Sequence, residues 1–368
     1  MNKDIATAKK IASKAMESPD YLRLSLAAAM TLGLRQGLFY RGAKLHCINL
    51  LLTYASGCAA RCAYCGLSGM RPGEYRDKSF IRVDWPACEL DEIIERISTR
   101  LEKVKRICIS QITNTRSIKD TPAICRKLRR SFDVPVSLLI SPTIVTREDL
   151  TDFKAAGADK IGVAIDLATP ALFDKYRGKG VGGPHRYDRY RECLAEAIAI
   201  FGRKNAGSHF VVGMGETEKE MAEAIQGVQD MGGWTHLFSF FPEADSQMSD
   251  HPLPDMDHYR RIQLARYMID QGMVRCEAFA YDENERIVEF GRSAADVDAI
   301  INTGEPFRTS GCAGYDGEVA CTRPFANSRP GPDMRNFPFK PEASDIARIR
   351  MQMGLPYEPP EGCWEDDD

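Results

Sequence analysis

Three thiols fall within one short stretch, Cys58-Ala59-Ala60-Arg61-Cys62-Ala63-Tyr64-Cys65, at C-x3-C-x2-C spacing. The stretch directly follows the apolar run Ile48-Asn49-Leu50-Leu51-Leu52-Thr53-Tyr54. A thiolate is a soft ligand, and a compact set of three suits an iron–sulfur cluster or a zinc ion. Structural zinc usually closes with four ligands, as two C-x2-C pairs or with a nearby His. No Cys or His follows Cys65 closely. Three protein ligands on a four-iron cluster leave one iron open, and an open iron binds a small molecule. Ordinary buried thiols explain the spacing poorly, because free Cys does not normally gather at one loop.

A second constellation lies far along the chain. Cys312 and Cys321 share the Gly-rich excursion Arg308-Thr309-Ser310-Gly311-Cys312 to Cys321-Thr322-Arg323-Pro324-Phe325. Two thiols on one excursion read as a clip on a metal, and Cys47, eleven residues before Cys58, is the attractive third. An ideal first strand puts Cys47 at the far end of a barrel from its mouth; a lead-in crossing the mouth would relieve this. A zinc clip is the alternative to a cluster, and Ser310 is one candidate for a fourth position. Cys88, Cys125, Cys193 and Cys276 read as inert, and Cys108 as a buried strand residue. Among the scattered histidines only His209, facing inward with Val211, stands out.

Short β-rich runs near residues 46–54, 105–112, 134–140, 160–167, 208–214, 235–241, 274–280 and 306–309 must position these groups. Helical patterns near 87–102, 119–131, 147–156, 187–204, 217–231, 256–271 and 284–294 alternate with them. Eight strands alternating with helices predict an α/β fold, a TIM-type (βα)8 barrel, complete or partial. A doubly wound sheet is the competitor, but no Gly-rich dinucleotide turn follows the first strand. Residues 1–40 read as an N-terminal helical extension, broken at Ser18-Pro19-Asp20; residues 41–311 form the barrel. Residues 312–368 form an irregular, cluster-binding tail with a last helix near 341–353 and an acidic end.

Barrel chemistry collects at the carboxyl ends of strands. Ser110-Gln111-Ile112-Thr113-Asn114, Ser141-Pro142-Thr143 and Gly213-Met214-Gly215-Glu216-Thr217 fall there. So does Asp166, with Arg177 just beyond. Asp166 can accept from two hydroxyls of a bound ligand, or cap the helix at Thr169-Pro170. Arg177 can pair bidentately with a carboxylate, or stand as a surface cation. Glu216 can meet a cofactor or merely open the next helix.

The cysteine spacing, with Tyr64 before its last thiol, resembles the signature of the radical S-adenosylmethionine superfamily. That resemblance implies Cys58, Cys62 and Cys65 as ligands of a [4Fe-4S] cluster. Its open iron would chelate S-adenosylmethionine, and one electron would release a 5′-deoxyadenosyl radical. Gly162-Val163-Ala164-Ile165-Asp166 followed by Phe173-Asp174-Lys175-Tyr176-Arg177-Gly178-Lys179 resembles the fourth strand of the biotin-synthase and hydrogenase-maturase branch. Gly213-Met214-Gly215-Glu216 resembles its fifth-strand turn, where backbone approaches the adenosyl group. The branch thus implies Tyr64, Asp166, Arg177, Gly213 and Glu216 as a cofactor-binding set. Biotin synthases also place a cluster thiolate on the strand that carries Cys108. Over roughly residues 40–340, Arg-Thr-Ser-Gly-Cys, Cys-x-Arg-Pro-Phe and Asn-Ser-Arg-Pro-Gly, with Cys47 before Asn49-Leu50-Leu51-Leu52-Thr53-Tyr54, resemble the two-component lipoyl synthases of archaea and some bacteria. That family implies a second iron–sulfur cluster, here on Cys47, Cys312 and Cys321, and a related partner synthase. It implies sulfur insertion into a protein-bound octanoyl chain. The N-terminal C-x4-C-x5-C triad of the usual lipoyl synthase is absent, which excludes that type.

The chain's 368 residues carry a net charge of −3, which offers no basic footprint for nucleic acid. Its polar, Lys-rich start is no signal peptide, and no apolar run approaches a membrane span. Twelve Cys without a secretion signal argue for reduced thiols and a cytoplasmic protein. The expected partners are an octanoylated lipoyl domain or carrier protein, a related synthase and a low-potential electron donor. The rivals are another enzyme of the same branch (biotin synthase, hydrogenase-cofactor maturase or mutase) and a non-catalytic iron–sulfur or zinc protein. No general acid, base or nucleophile is singled out.

Overall fold

The computed structural model describes residues 16–356. The chain enters through strand β1 (Tyr21–Leu24) and helix α1 (Leu26–Thr31), then β2 (Cys47–Leu52), β3 (Ala87–Glu89) and α2 (Leu90–Ser98). Regular alternation follows: β4 (Arg106–Ser110), α3 (Ser117–Ser131), β5 (Val136–Ile140), α4 (Arg147–Ala155) and β6 (Ala158–Asp166). Helices α5 (Pro170–Tyr176) and α6 (Tyr187–Phe201) lead to β7 (Ala206–Val212), α7 (Glu218–Met231), β8 (Trp234–Ser239) and α8 (Met256–Asp270). A hairpin, β9 (Ala280–Tyr281) with β10 (Ile287–Glu289), precedes α9 (Ala294–Thr303) and α10 (Ala343–Gln352).

Six strands run parallel in the order β2-β4-β5-β6-β7-β8, and β1 and β3 extend the β2 edge antiparallel. The register sets Cys47 opposite Arg106, Cys108 opposite Ser137, and His209 opposite Ala164 and His236. β2 is buried at every position, as a parallel strand covered on both faces should be. Helix starts follow local chemistry. Thr146 with Asp149, and Thr217 with Glu220, form capping boxes, while Thr169 caps α5 with Pro170 behind it.

The α/β, barrel-type reading holds in its repeating βα units, in an eight-stranded, mostly parallel sheet whose edges, β3 and β8, stay unpaired with each other. The strands expected at 274–280 and 306–309 are not part of it. The first is a 3-10 turn, Cys276–Ala278, running into β9; the second is a 3-10 turn, Glu305–Phe307, opened by Pro306. The helix expected at 284–294 is instead the turn and strand leading to α9. All three are short stretches, which periodicity alone does not classify.

The N-terminal segment also differs from the helical extension expected. Residues 1–15 lie outside the described residues, and Tyr21–Leu24 is a strand. Leu22 and Leu24 are buried opposite Leu52 and Leu50. The buried Arg23 guanidinium donates to the carbonyls of Trp85, at 2.8 Å, Tyr75, at 3.1 Å, and Lys78. An intrinsic helix-former is thereby drawn into a sheet by tertiary pairing.

The tail after α9 crosses the amino ends of the strands. His46 N–H donates to Ala320 O at 3.2 Å, and Thr322 Oγ1 donates to Lys44 O at 2.6 Å. Arg106 Nε donates to Ala313 O at 2.5 Å, and Lys105 pairs with Asp316 at 2.5 Å. A strand at 306–309 would deliver Cys312, directly after it, to the mouth; Cys312 lies at the opposite end, because the residues before it do not form an eighth parallel strand. Ser310 Oγ instead accepts from Leu237 N–H at 2.8 Å, so the tail lies along β8.

Candidate active site

Toward the carboxyl ends of the strands, a cavity of about 230 Å³ opens on one face of the sheet. Cys58, Cys62 and Cys65 line it together, with Tyr64, Asp166 and Arg177. Backbone bonds pin their loop from three sides: Ala59 N–H to Thr113 O and Ala63 N–H to Tyr176 O, both at 2.8 Å, and Met248 N–H to Ala63 O at 3.2 Å. Gly66 is required next to Cys65, since a Cβ there would meet Ser79 O at 2.4 Å and Glu243 Oε1 at 2.7 Å. Burial pushes the Cys62 thiol up to about 11, against the pull of Arg177, and pushes Cys65 well above its usual value.

Asp166 and Arg177 are turned toward each other. Asp166 Oδ2 accepts from Tyr64 Oη at 2.6 Å and from Arg177 Nη1 at 2.7 Å. Asp166 holds φ +66° at an irregularity between β6 and β7, a strained conformation that aims its carboxylate at these donors. Arg177 also donates from Nη1 to Ile165 O at 3.2 Å and from Nη2 to Tyr190 Oη at 3.1 Å. Tyr190 and Thr143 meet His185 Nδ1 at 3.0 and 2.6 Å. Burial holds His185 near 2, so it is neutral, while burial raises Asp166 against the opposing effects of Arg177 and Tyr64. Both bonds to the Asp166 carboxylate fall on Oδ2, which leaves Oδ1 for a ligand hydroxyl.

Gly213 and Glu216 do not line this cavity. The Glu216 carboxylate accepts from the amides of Gly213, at 2.6 Å, and Met214, at 2.9 Å, and so closes its own loop. Gly213, at φ +100°, packs where a Cβ would meet Pro254 at 2.6 Å. Residues not foreseen include Glu243, buried beside the thiol loop, whose Oε1 accepts from Ser79 at 2.5 Å and Oε2 from Arg82 N–H at 2.8 Å. It stands just past the carboxyl end of β8, where the strand-end rule would have found it. Arg323 is the other. It lies inside the Cys-x-Arg-Pro-Phe run, is buried, and its Nε has no partner.

A second, smaller cavity lies on the same face toward the amino ends. Cys47, Cys108, Cys312 and Cys321 line it with His236, and His209, Arg323 and Asn327 border both spaces. Asn49 Nδ2 lies 3.5 Å from the sulfurs of both Cys47 and Cys321. The Cys47 thiol is pushed up by burial, whereas Cys321 is pulled down because Cys47 donates to it. Among the described residues no three His, Cys, Asp or Glu close on one point as a single ion requires. In the first cavity the three thiols line one space, as the ligands of a polynuclear cluster would; in the second, Cys47 and Cys321 are in contact with each other.

Residues 52–227 match the Radical SAM superfamily. Over that stretch, just under half of the chain, the sequence is similar to radical SAM domains. This superfamily uses a [4Fe-4S] cluster with S-adenosylmethionine, and the three thiols on the first cavity fit that group. Among solved structures, methylornithine synthase (PylB) is 12% identical over 74% of this chain and 73% of its own, with a TM-score of 0.47. The FeFe-hydrogenase maturase HydG from Carboxydothermus hydrogenoformans is 12% identical over 92% and 72%, at 0.47. SuiB from Streptococcus suis is 11% identical over 62% and 48%, at 0.41. No curated protein matches the sequence. Among the described residues, no helix is long and apolar enough to cross a membrane.

Proposed function

We propose that this radical SAM protein is a sulfur-inserting enzyme of lipoyl synthase type, acting on an octanoyl chain carried by a lipoyl domain or carrier protein. A related synthase and a low-potential electron donor complete the system. The observation that carries the reading is the second thiol set: Cys47, Cys312 and Cys321, far apart in sequence, meet around one cavity next to the first. When bound, the first cluster with S-adenosylmethionine supplies a 5′-deoxyadenosyl radical and a second cluster on this set supplies sulfur.

The chain's own residues position and exclude. Leu139, Ile140, Val211, Phe238, Phe240 and Phe241 give the first cavity an apolar wall suited to an alkyl chain and to keeping water out. Gln111 is fixed by donating to Thr121 Oγ1, at 3.0 Å, and accepting from Ser141 N–H, at 3.1 Å, so the polar rim is pre-set. Tyr64 ties the cysteine loop to β6 through Asp166. The test is an iron and sulfide count on anaerobically purified protein, followed by turnover with an octanoylated lipoyl-domain peptide. Two clusters and a thiolated peptide are expected. A single cluster with S-adenosylmethionine cleavage would return the protein to a mutase-like reaction.

A further inference from the structure

One imidazole is aimed at the second thiol set. His236, on β8, is buried and packs edge-on against His209, with ring centroids 5.0 Å apart. Its Nδ1 faces the carbonyl oxygen of Ser310. A carbonyl only accepts, so Nδ1 carries the proton and Nε2 keeps a lone pair. Nε2 stands 3.6 Å from Cys312 Sγ, and both line the second cavity. A metal-ligating histidine commonly donates its other N–H to a carbonyl, which fixes the tautomer and the ring plane. His236 already has that partner, on the same tail that delivers Cys312. The competing donors are less well placed. Ser310 Oγ is engaged by Leu237 N–H, and Cys108 sits beside the Ser137 hydroxyl.

Resting on the second cluster proposed above, we propose that His236, through Nε2, is the non-thiolate ligand that completes Cys47, Cys312 and Cys321. Imidazole in place of thiolate raises a cluster's reduction potential. This centre therefore accepts an electron at a higher potential than an all-thiolate one.

The experiment uses the full chain with Cys58, Cys62 and Cys65 all replaced by Ala, so that only the second centre contributes. It is reconstituted anaerobically with iron and sulfide, counted, reduced, and examined by pulsed electron paramagnetic resonance. Protein grown on 15N-histidine is compared with unlabelled protein, which needs no further substitution. The expected result is a nitrogen coupling that changes with the histidine isotope, is lost in His236→Gln and persists in His209→Gln. The potential should fall in His236→Cys. If the cysteine variant holds no iron and sulfide, the second-cluster reading fails. If it holds a cluster that shows no histidine coupling, or one that survives His236→Gln, the cluster stands and the ligand assignment is overturned.

Discussion

Asp166 and Arg177 show how a residue can belong to a site without facing a ligand alone. Each neutralises the other in a buried pair, and the same carboxylate holds Tyr64 of the cysteine loop. Removing one member of such a pair strands the other charge, at a cost of about 3–5 kcal/mol. Asp166→Ala is therefore expected to lower stability to urea by roughly that amount and to weaken S-adenosylmethionine binding measured by calorimetry, while iron content is retained. Glu216 provides the contrast, since its carboxylate serves two amides of its own loop. Glu216→Gln should cost about 1 kcal/mol and leave that affinity unchanged; a large loss of affinity would place Glu216 at the cofactor after all. Cys62→Ala should abolish 5′-deoxyadenosine formation with the circular dichroism spectrum intact, because the sheet core does not depend on that loop. Cleavage that survives in this variant would remove Cys62 from the ligand set.

At the scale of elements, the contact between α7 and α8 carries a titratable latch. His258 on α8 lies 3.2 Å from Glu218 Oε1 and 3.9 Å from Glu216 Oε1, with Arg261 and Asp257 completing the cluster. Burial alone pulls His258 down, but the two carboxylates overcome it and hold it at about 9. A raised folded value means that the stabilisation is fully present below the unfolded value near 6.5 and is lost as pH rises through 9. Thermal stability should therefore fall between pH 7 and 10, by up to about 3 kcal/mol, and the slope should flatten in His258→Gln. A variant that melts with the unaltered slope would place the pH dependence elsewhere. The elements themselves were legible where local signals agreed. Capping residues and alternating apolar runs placed the six parallel strands and most helices within a few residues. β1 was not legible, because Leu22 and Leu26, four residues apart, fit a helical spacing as well as Leu22 and Leu24 fit a strand. Only their pairing with β2, and the three carbonyls that hold Arg23, make that segment a strand.

The whole molecule places two thiol sets on one face of one sheet, at opposite ends of the strands. The first was readable from spacing alone. The second was readable as a set but not as a place, because Cys312 was assigned to a strand end that does not exist. With the tail under the amino ends, Cys47 needs no lead-in across the mouth; the start of β2 is where Cys312 and Cys321 arrive. His209, Arg323 and Asn327 stand between the two spaces, so a chain entering from the carboxyl end meets the first set before it approaches the second. Under the function proposed above, this geometry predicts that S-adenosylmethionine cleavage and sulfur transfer separate by mutation. Cys312→Ala or Cys321→Ala removes a donor from the amino-end cavity and leaves Cys58, Cys62, Cys65 and the Tyr64–Asp166–Arg177 network in place. Both variants should still cleave S-adenosylmethionine under strong reductant, at no less than about a third of the unaltered rate, which is under 1 kcal/mol of barrier. Neither should transfer sulfur to an octanoylated lipoyl-domain peptide, read by mass spectrometry with the related synthase both present and absent. If the Cys312 variant thiolates normally, the sulfur does not come from this cavity. If cleavage disappears along with thiolation, the two sets are not independent, and the tail at the amino ends must be shaping the cysteine loop across the sheet.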